Sequence, residues 1–278
     1  MTTTPTNPII APKPWLGVWT LAHRELVRFF RQRNRVVGAL VQPILFWVLF
    51  GFGFRSSFHI VGADGQKVDS LEYLFPGMLA LILLFTAIFT TMSIIEDRRE
   101  GFLQSVLVSP LPRWAMVLGK VVGGALIAVG VGAVFLVLGL TIELPYSVPQ
   151  LIAVIAFTWL VAFGLTSLGF IFAWRLDSTQ GYHAIMSVVL FPMWLLSGAF
   201  FLPGEDWLGW LIRANPFTYA VAGVRHLLYW QPTAEPTAAD SNLPSLAVCL
   251  LVTLAFAGIC FFLACKSASQ TTKGDLLS

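Results

Sequence analysis

The stretch EDRREGFLQSVLVSPLPRW (residues 96–114) separates two runs of nearly pure hydrocarbon. It opens with five charged residues in succession, turns amphipathic, and closes on two prolines and an arginine. Phe102, Val106 and Ser109 recur at helical spacing, with Leu103 and Leu107 beside them. Pro110 and Pro112 end such a helix, because neither supplies an N–H to the ladder and each restricts the residue before it. The pattern predicts a short helix parallel to a membrane surface over about 97–112, with a charged start and a stiff stop. Its chemistry leaves two uses equally open: contact with a partner at that surface, or rest on the lipid.

Working outward, the chain of 278 residues is 57% hydrophobic and only 11% charged, where a soluble domain carries roughly a quarter charged residues. A helix crossing the hydrocarbon needs about 20 mostly apolar residues. Six segments meet that length: 36–54, 74–95, 114–142, 150–174, 182–202 and 243–265. Lys120 lies near one end of the third, where its stem is expected to snorkel to the headgroups. Pro43 and Pro192 predict kinks in the first and fifth. Lys and Arg crowd one side: Lys13, Arg24, Arg28, Arg31, Arg33 and Arg35 before the first span, then Arg98, Arg99, Arg113 and Arg175 in short loops. By the positive-inside rule both termini, including the tail 266–278, face the cytoplasm. The Thr- and Pro-rich start, 1–14, lacks the pattern of a cleavable signal and is expected to be a disordered tail.

Two further elements do not span. Over 15–35, Trp15, Trp19, Ala22, Leu26 and Phe29 recur at helical spacing with arginines on the other faces, which predicts an interfacial helix with arginines among anionic headgroups. Over 203–230, Asn215-Pro216 reads as an N-cap and first helical residue dividing two short aromatic-rich helices, a hairpin dipping into the outer leaflet. Membrane lipids are thus expected partners, and nucleic acid is not.

The chemistry of an enzyme is missing. Gly119-Lys120 lacks the spacing of a phosphate-binding loop, the four histidines are scattered, and Cys249, Cys260 and Cys265 share one apolar run without metal-like pairing. No catalytic, cofactor or metal site is expected, so energy for any work comes from outside the chain. Thr86, Thr90 and Ser93 share a face of the second span and, with Trp194 in the fifth, are candidates for a substrate path. Back-bonding of the hydroxyls to their own helix is the alternative reading.

Residues 73–120 resemble the ABC-2 type permeases, the membrane subunits of ATP-binding-cassette exporters. The residues that carry the likeness are Pro76-Gly77, Arg99-Glu100-Gly101, Leu107, Pro110 and Leu118-Gly119-Lys120, followed by LSGAFFLP (196–203) and NPFTYAVAGVRHLL (215–228). The resemblance covers about 15–265 and leans towards the daunorubicin-resistance type. It implies an all-α membrane fold of the type V exporter kind: six transmembrane helices (36–265), an N-terminal interfacial connecting helix (15–35) and a cytoplasmic coupling helix. The coupling helix docks on a separate ABC ATPase that carries ATP and magnesium; Arg98, Arg99, Glu100, Gly101, Phe102, Leu103, Val106, Leu107 and Pro110 take that part here. The resemblance further implies a permease dimer in the inner membrane that moves a hydrophobic or amphipathic, drug-like molecule outward. Export of a lipid-linked glycan is the alternative within the family, and a stand-alone channel or scaffold the alternative outside it.

Overall fold

The computed structural model describes residues 13–55, 60–61, 67–68, 70–139, 147–200, 206–229 and 243–270. Most of the expected tail 1–14, the last residues 271–278, and 203–205 and 230 of the expected hairpin lie outside them. Helix α1, Pro14–Arg31, starts on a proline whose missing N–H costs nothing at that position. Helix α2, Arg33–Arg55, covers the first expected span as one unbroken helix. A two-residue ladder that the sequence pattern did not announce follows: β1, Ile60–Val61, pairs antiparallel with β2, Lys67–Val68, placing Ile60 opposite Val68.

Helix α3, Ser70–Arg99, α4, Phe102–Val108, and α5, Arg113–Leu138, form the centre of the fold. Helix α6, Val148–Arg175, opens on a capping box in which Ser147 and Gln150 satisfy each other's backbone. Helix α7, Thr179–Trp194, passes into a wider π turn at Leu195–Ala199. Helices α8, Trp207–Ala214, α9, Pro216–Leu228, and α10, Leu246–Ser269, complete the chain. Among the described residues, five helices are long and apolar enough to cross a membrane: α3, α5, α6, α7 with its π turn, and α10.

Helix α3 is the post around which the others stand, flanked by α2, α5, α6 and α7. Phe75 stacks on Phe135 of α5 at 4.8 Å between centroids, and Trp47 of α2 meets both edge-on at 5.3 and 5.7 Å. Tyr182 of α7, fully buried, shares a 2.5 Å hydrogen bond with Thr91 of α3. Such a bond fixes the rotation of two helices that otherwise meet through apolar surface alone.

The break in α7 follows from Pro192, which removes a donor from the ladder, and from Gly198, whose φ of 76° is reached at no steric cost only by glycine. The carbonyls freed there are recovered from outside. Asn215 Nδ2 donates to Met193 O (2.5 Å) and Leu196 O (2.8 Å), while its Oδ1 accepts from Phe217 N and caps α9. Trp194 Nε1 donates to Gly77 O at 2.8 Å, tying the break to the start of α3. The N-cap read from Asn215-Pro216 is present and divides two short helices, which differ in how they pack. Phe217, Val221, Val224 and Leu228 of α9 are buried against the bundle, and only α8 turns large aromatics outward, at Trp207 and Trp210. The driving force is burial of α9 on nearly all sides, among α10, α6, the π turn and α3.

Candidate functional site

The stretch 96–114 folds differently from the single helix expected. Its charged opening belongs to the last turn of α3, and the helix ends where Gly101 takes a left-handed φ of 75°. Only Phe102–Val108 form α4, about two turns long. Leu103 is buried, and Phe102, Val106 and Leu107 pack partly against the core of the same chain. The apolar face of α4 is therefore its attachment, and Gln104, Ser105, Val108 and Pro110 are the residues left exposed.

Three constraints make that attachment stiff. At the start, the last turn of α3 carries a cluster of ions shared with α1 and α5. Asp97, with no exposed surface, accepts from Arg24 Nη1 (3.0 Å) and Nη2 (2.8 Å), from Arg28 Nη1 (2.5 Å) and from Lys120. Lys120 Nζ also donates to Glu25 at 2.5 Å, and Arg28 extends the cluster to Glu96 and Glu100. Arg35 of α2 joins at Glu96. Partial burial works against the Arg24 charge, yet the bond and charge of Asp97, helped by Glu25 and Glu100, hold its pKa above the ordinary range. Arg24 also lies over the Phe102 ring at 3.5 Å, so the cluster grips α4 directly.

On its other flank, the α3 end is bonded to the α6–α7 turn. Arg98 donates to Asp177 Oδ1 (2.9 Å) and Trp174 O, and Arg99 donates to Asp177 O (2.6 Å). Past α4, Leu111 is wedged between the two prolines and against Gly17, where an added Cβ would come within 2.3 Å of its methyl. Arg113 then donates to Ala268 O at 2.6 Å, one of the last carbonyls of α10. The stop expected from Pro110 and Pro112 is thus a clamp on α1 and α10.

Two readings of α1 change accordingly. Its buried face is Val18, Leu21, Ala22, Glu25 and Phe29, while Trp15 and Trp19 stand 70% and 65% exposed. The buried face lies on Gly119 and Gly123 of α5, where any Cβ would fall within 3 Å of α1 atoms. Arg24 and Arg28 pair with Asp97 rather than reaching headgroups, and Lys120 is buried among carboxylates rather than snorkelling. Burial of Lys120 at 5% exposure is tolerable because both neighbours are anions at bonding distance.

The residues singled out for a substrate path are all buried inside the chain, but Trp194 stands at Gly77, near the start of α3, while Thr86, Thr90 and Ser93 lie further along that helix. Thr86 donates to Ile82 O and Thr90 to Ala87 O, each within α3, and Ser93 and Trp194 are buried as well. The open cleft nearby runs between α3 and α7 along other residues, including Leu84, Phe85, Ile88, Met186 and Phe191. It is about 460 Å³ and almost wholly apolar. What sequence reasoning missed was the trio Glu25, Asp97 and Lys120, together with the roles of Arg28, Leu111 and Arg113. A lone lysine inside an apolar span was the available signal, since such a charge normally has a partner.

Comparison with known proteins agrees with this architecture. Residues 17–229 match the ABC-2 type transporter family. A protein of Cyanophora paradoxa named as transport permease ycf38 is 26% identical over 218 residues, covering 76% of this chain and 73% of that one. The Escherichia coli protein YbhR, named as a multidrug ABC transporter permease, is 32% identical over 161 residues, which span 55% of this chain and 42% of YbhR. The E. coli inner membrane transport permease YadH is 24% identical over 223 residues, 76% of this chain and 82% of that one. With a family match over most of its length and helices built to cross a membrane, this chain belongs to the ABC-2 type transporter family, as an integral membrane transport permease.

Proposed function

We propose that the chain is the membrane subunit of an ATP-driven exporter, docked through α4 onto a separate ABC ATPase that holds the ATP and magnesium. The observation that carries this reading is a two-turn helix fixed on three sides and open on the fourth. A free loop absorbs a push; a helix whose start is held by an ion cluster and whose end is wedged between α1 and α10 passes it on. The surface offered to the ATPase is Gln104, Ser105, Val108 and Pro110, with the exposed carboxylate of Glu100 at its edge. Arg98, Arg99, Phe102, Leu103, Val106 and Leu107 hold the helix to the bundle, and Gly101 sets its angle.

In this reading α2 supplies the first of six crossings in a type V exporter-like arrangement. The Lys/Arg bias places both termini and α4 in the cytoplasm of a cell with the permease in its inner membrane. Two copies pair across the apolar cleft between α3 and α7, whose exposed Val188 and Phe191 then leave lipid for protein. The cargo is an amphipathic, drug-like molecule: the cleft is apolar, and YbhR bears a multidrug name.

Affinity isolation of the tagged chain from its native membrane tests the reading. The native chain is expected to bring down an ATPase that hydrolyses ATP, and a Gln104→Arg, Val108→Glu variant to lose it while keeping its melting temperature. An unchanged yield of ATPase with that variant would place docking elsewhere.

A further inference from the structure

Helix α1 carries two apolar faces; among the described residues one packs on the bundle, and the other meets it where Trp15 touches the Trp114 ring edge-on at 5.7 Å. Val18, Leu21, Ala22 and Phe29 pack on α5, whereas Trp15, Leu16, Trp19 and Phe30 project outward, all at least 60% exposed. Because α1 lies along the first turns of α5, itself long and apolar enough to span, the outward face sits beside the membrane at the α4 end of the bundle. Next to this face, between α1 and Glu100, is a groove of about 470 Å³ lined by His23, Val27, Arg28, Arg31 and Gln32. His23 and Val27 stand where the groove meets the aromatic face, at helical positions adjoining both Trp19 and Phe30.

The groove holds uncommitted donors and acceptors. Arg24 and Arg28 are occupied by Asp97 and Glu96, but Arg31 is exposed and has no ion pair among the described residues. Gln32 lines the groove, and its Oε1 is buried without a hydrogen-bond partner among them. A guanidinium suits a phosphate; a vacant amide oxygen and the Glu100 carboxylate suit a hydroxyl donor a few ångströms away.

We propose that this groove binds the headgroup of an anionic glycerophospholipid of the phosphatidylglycerol kind, with its acyl chains laid along Trp15, Trp19 and Phe30. The phosphate pairs with Arg31, the glycerol hydroxyls donate to Gln32 and Glu100, and the aromatic face continues the lipid's own apolar environment. Choice of a lipid over a soluble phosphate follows from the continuity of groove and apolar face, which only a molecule with both parts fills.

The test uses this chain alone, so its failure is separable from failure of the ATPase reading. The purified full chain is titrated with phosphatidylglycerol or phosphatidylcholine of identical acyl chains, and bound lipid is counted by native mass spectrometry. The native chain is expected to prefer phosphatidylglycerol. Arg31→Gln should weaken that lipid about five-fold, the worth of one cation near an anionic surface, and leave phosphatidylcholine unchanged. A Trp19→Ala, Phe30→Ala variant should weaken both lipids alike. Because Arg31 is exposed and unpaired, melting of Arg31→Gln should match the native chain, which makes lost folding visible if it occurs. Equal retention of the two lipids, or a preference that survives Arg31→Gln, overturns the proposal. Competition by millimolar glycerol 3-phosphate overturns it in favour of a free phosphate. In a separate isolation from native membranes, a protein held by the native chain but lost from Arg31→Gln while its lipid binding stays intact overturns it in favour of a protein-docking groove.

Discussion

Replacing Lys120 by Met removes one cation from a compact set in which two buried carboxylates depend on it. Glu25 would keep only the 3.3 Å contact from Arg24, and Asp97 would keep Arg24 and Arg28. Breaking a buried ion pair on one side costs about 3–5 kcal/mol. Asp97 retains two partners here, so the lower end, about 3 kcal/mol, is expected. Removing Glu25 as well, by Met, restores the local charge balance with side chains of similar length. The double variant should therefore return to within about 1 kcal/mol of the native chain, since apolar replacement of a whole pair is often neutral. Equilibrium unfolding in detergent mixtures containing increasing SDS, followed by tryptophan fluorescence, measures both numbers. Salt should alter them little, because the cluster is shielded from the solvent that screens surface charges. A Lys120→Met cost below about 1 kcal/mol, or a double variant no better than the single, would refute the buried pairing.

Other parts of the frame give sharper discriminations. Gly123→Leu places a side chain where a Cβ alone already approaches Glu25 Cβ at 2.8 Å, so α1 should be displaced from α5 at an overpacking cost of about 1–3 kcal/mol, read by the same unfolding titration. Asn215→Ala loses two donors to the α7 break and the cap of α9, a cost of about 2 kcal/mol or more, whereas Asn215→Asp keeps the cap alone and should fall between, as read by the same unfolding titration. Gly101→Ala forces an L side chain to a φ of 75° and should cost about 1–2 kcal/mol while loosening α4, seen as faster amide exchange across 102–108.

Much of this frame is readable from residue order because length and apolarity alone decide whether a helix can cross a membrane. The bounds of α5 and α6 fall within a few residues of the expected 114–142 and 150–174 for that reason. Asn215-Pro216 was legible because capping is local chemistry. What stayed hidden involved choices between equally apolar surfaces. Lipid is as apolar as a protein core, so the spacing in α1 could not tell Val18 and Leu21, which pack, from Trp15 and Trp19, which do not. The same ambiguity hid how fully α9 packs against the bundle. The ion cluster escaped for another reason: Glu25, Asp97 and Lys120 come from three helices, and no local spacing announces their meeting. The hydroxyls of Thr86 and Thr90 make the back-bonds stated as their alternative reading, each to a carbonyl of its own helix. A short helix does stand within the expected 97–112, as Phe102–Val108, though which of its faces looks outward depended on the core it packs against.

The most direct test of the account is photo-cross-linking from the exposed face of α4. A benzoylphenylalanine placed at position 105 or 108 should, on irradiation of native membranes, capture an ABC ATPase, while the same group at position 207, beyond the far end of a helix about 45 Å long, should not. Capture of that ATPase from position 207 rather than from 105 and 108, or capture of lipid alone from α4, would contradict the docking role on which the proposed function rests.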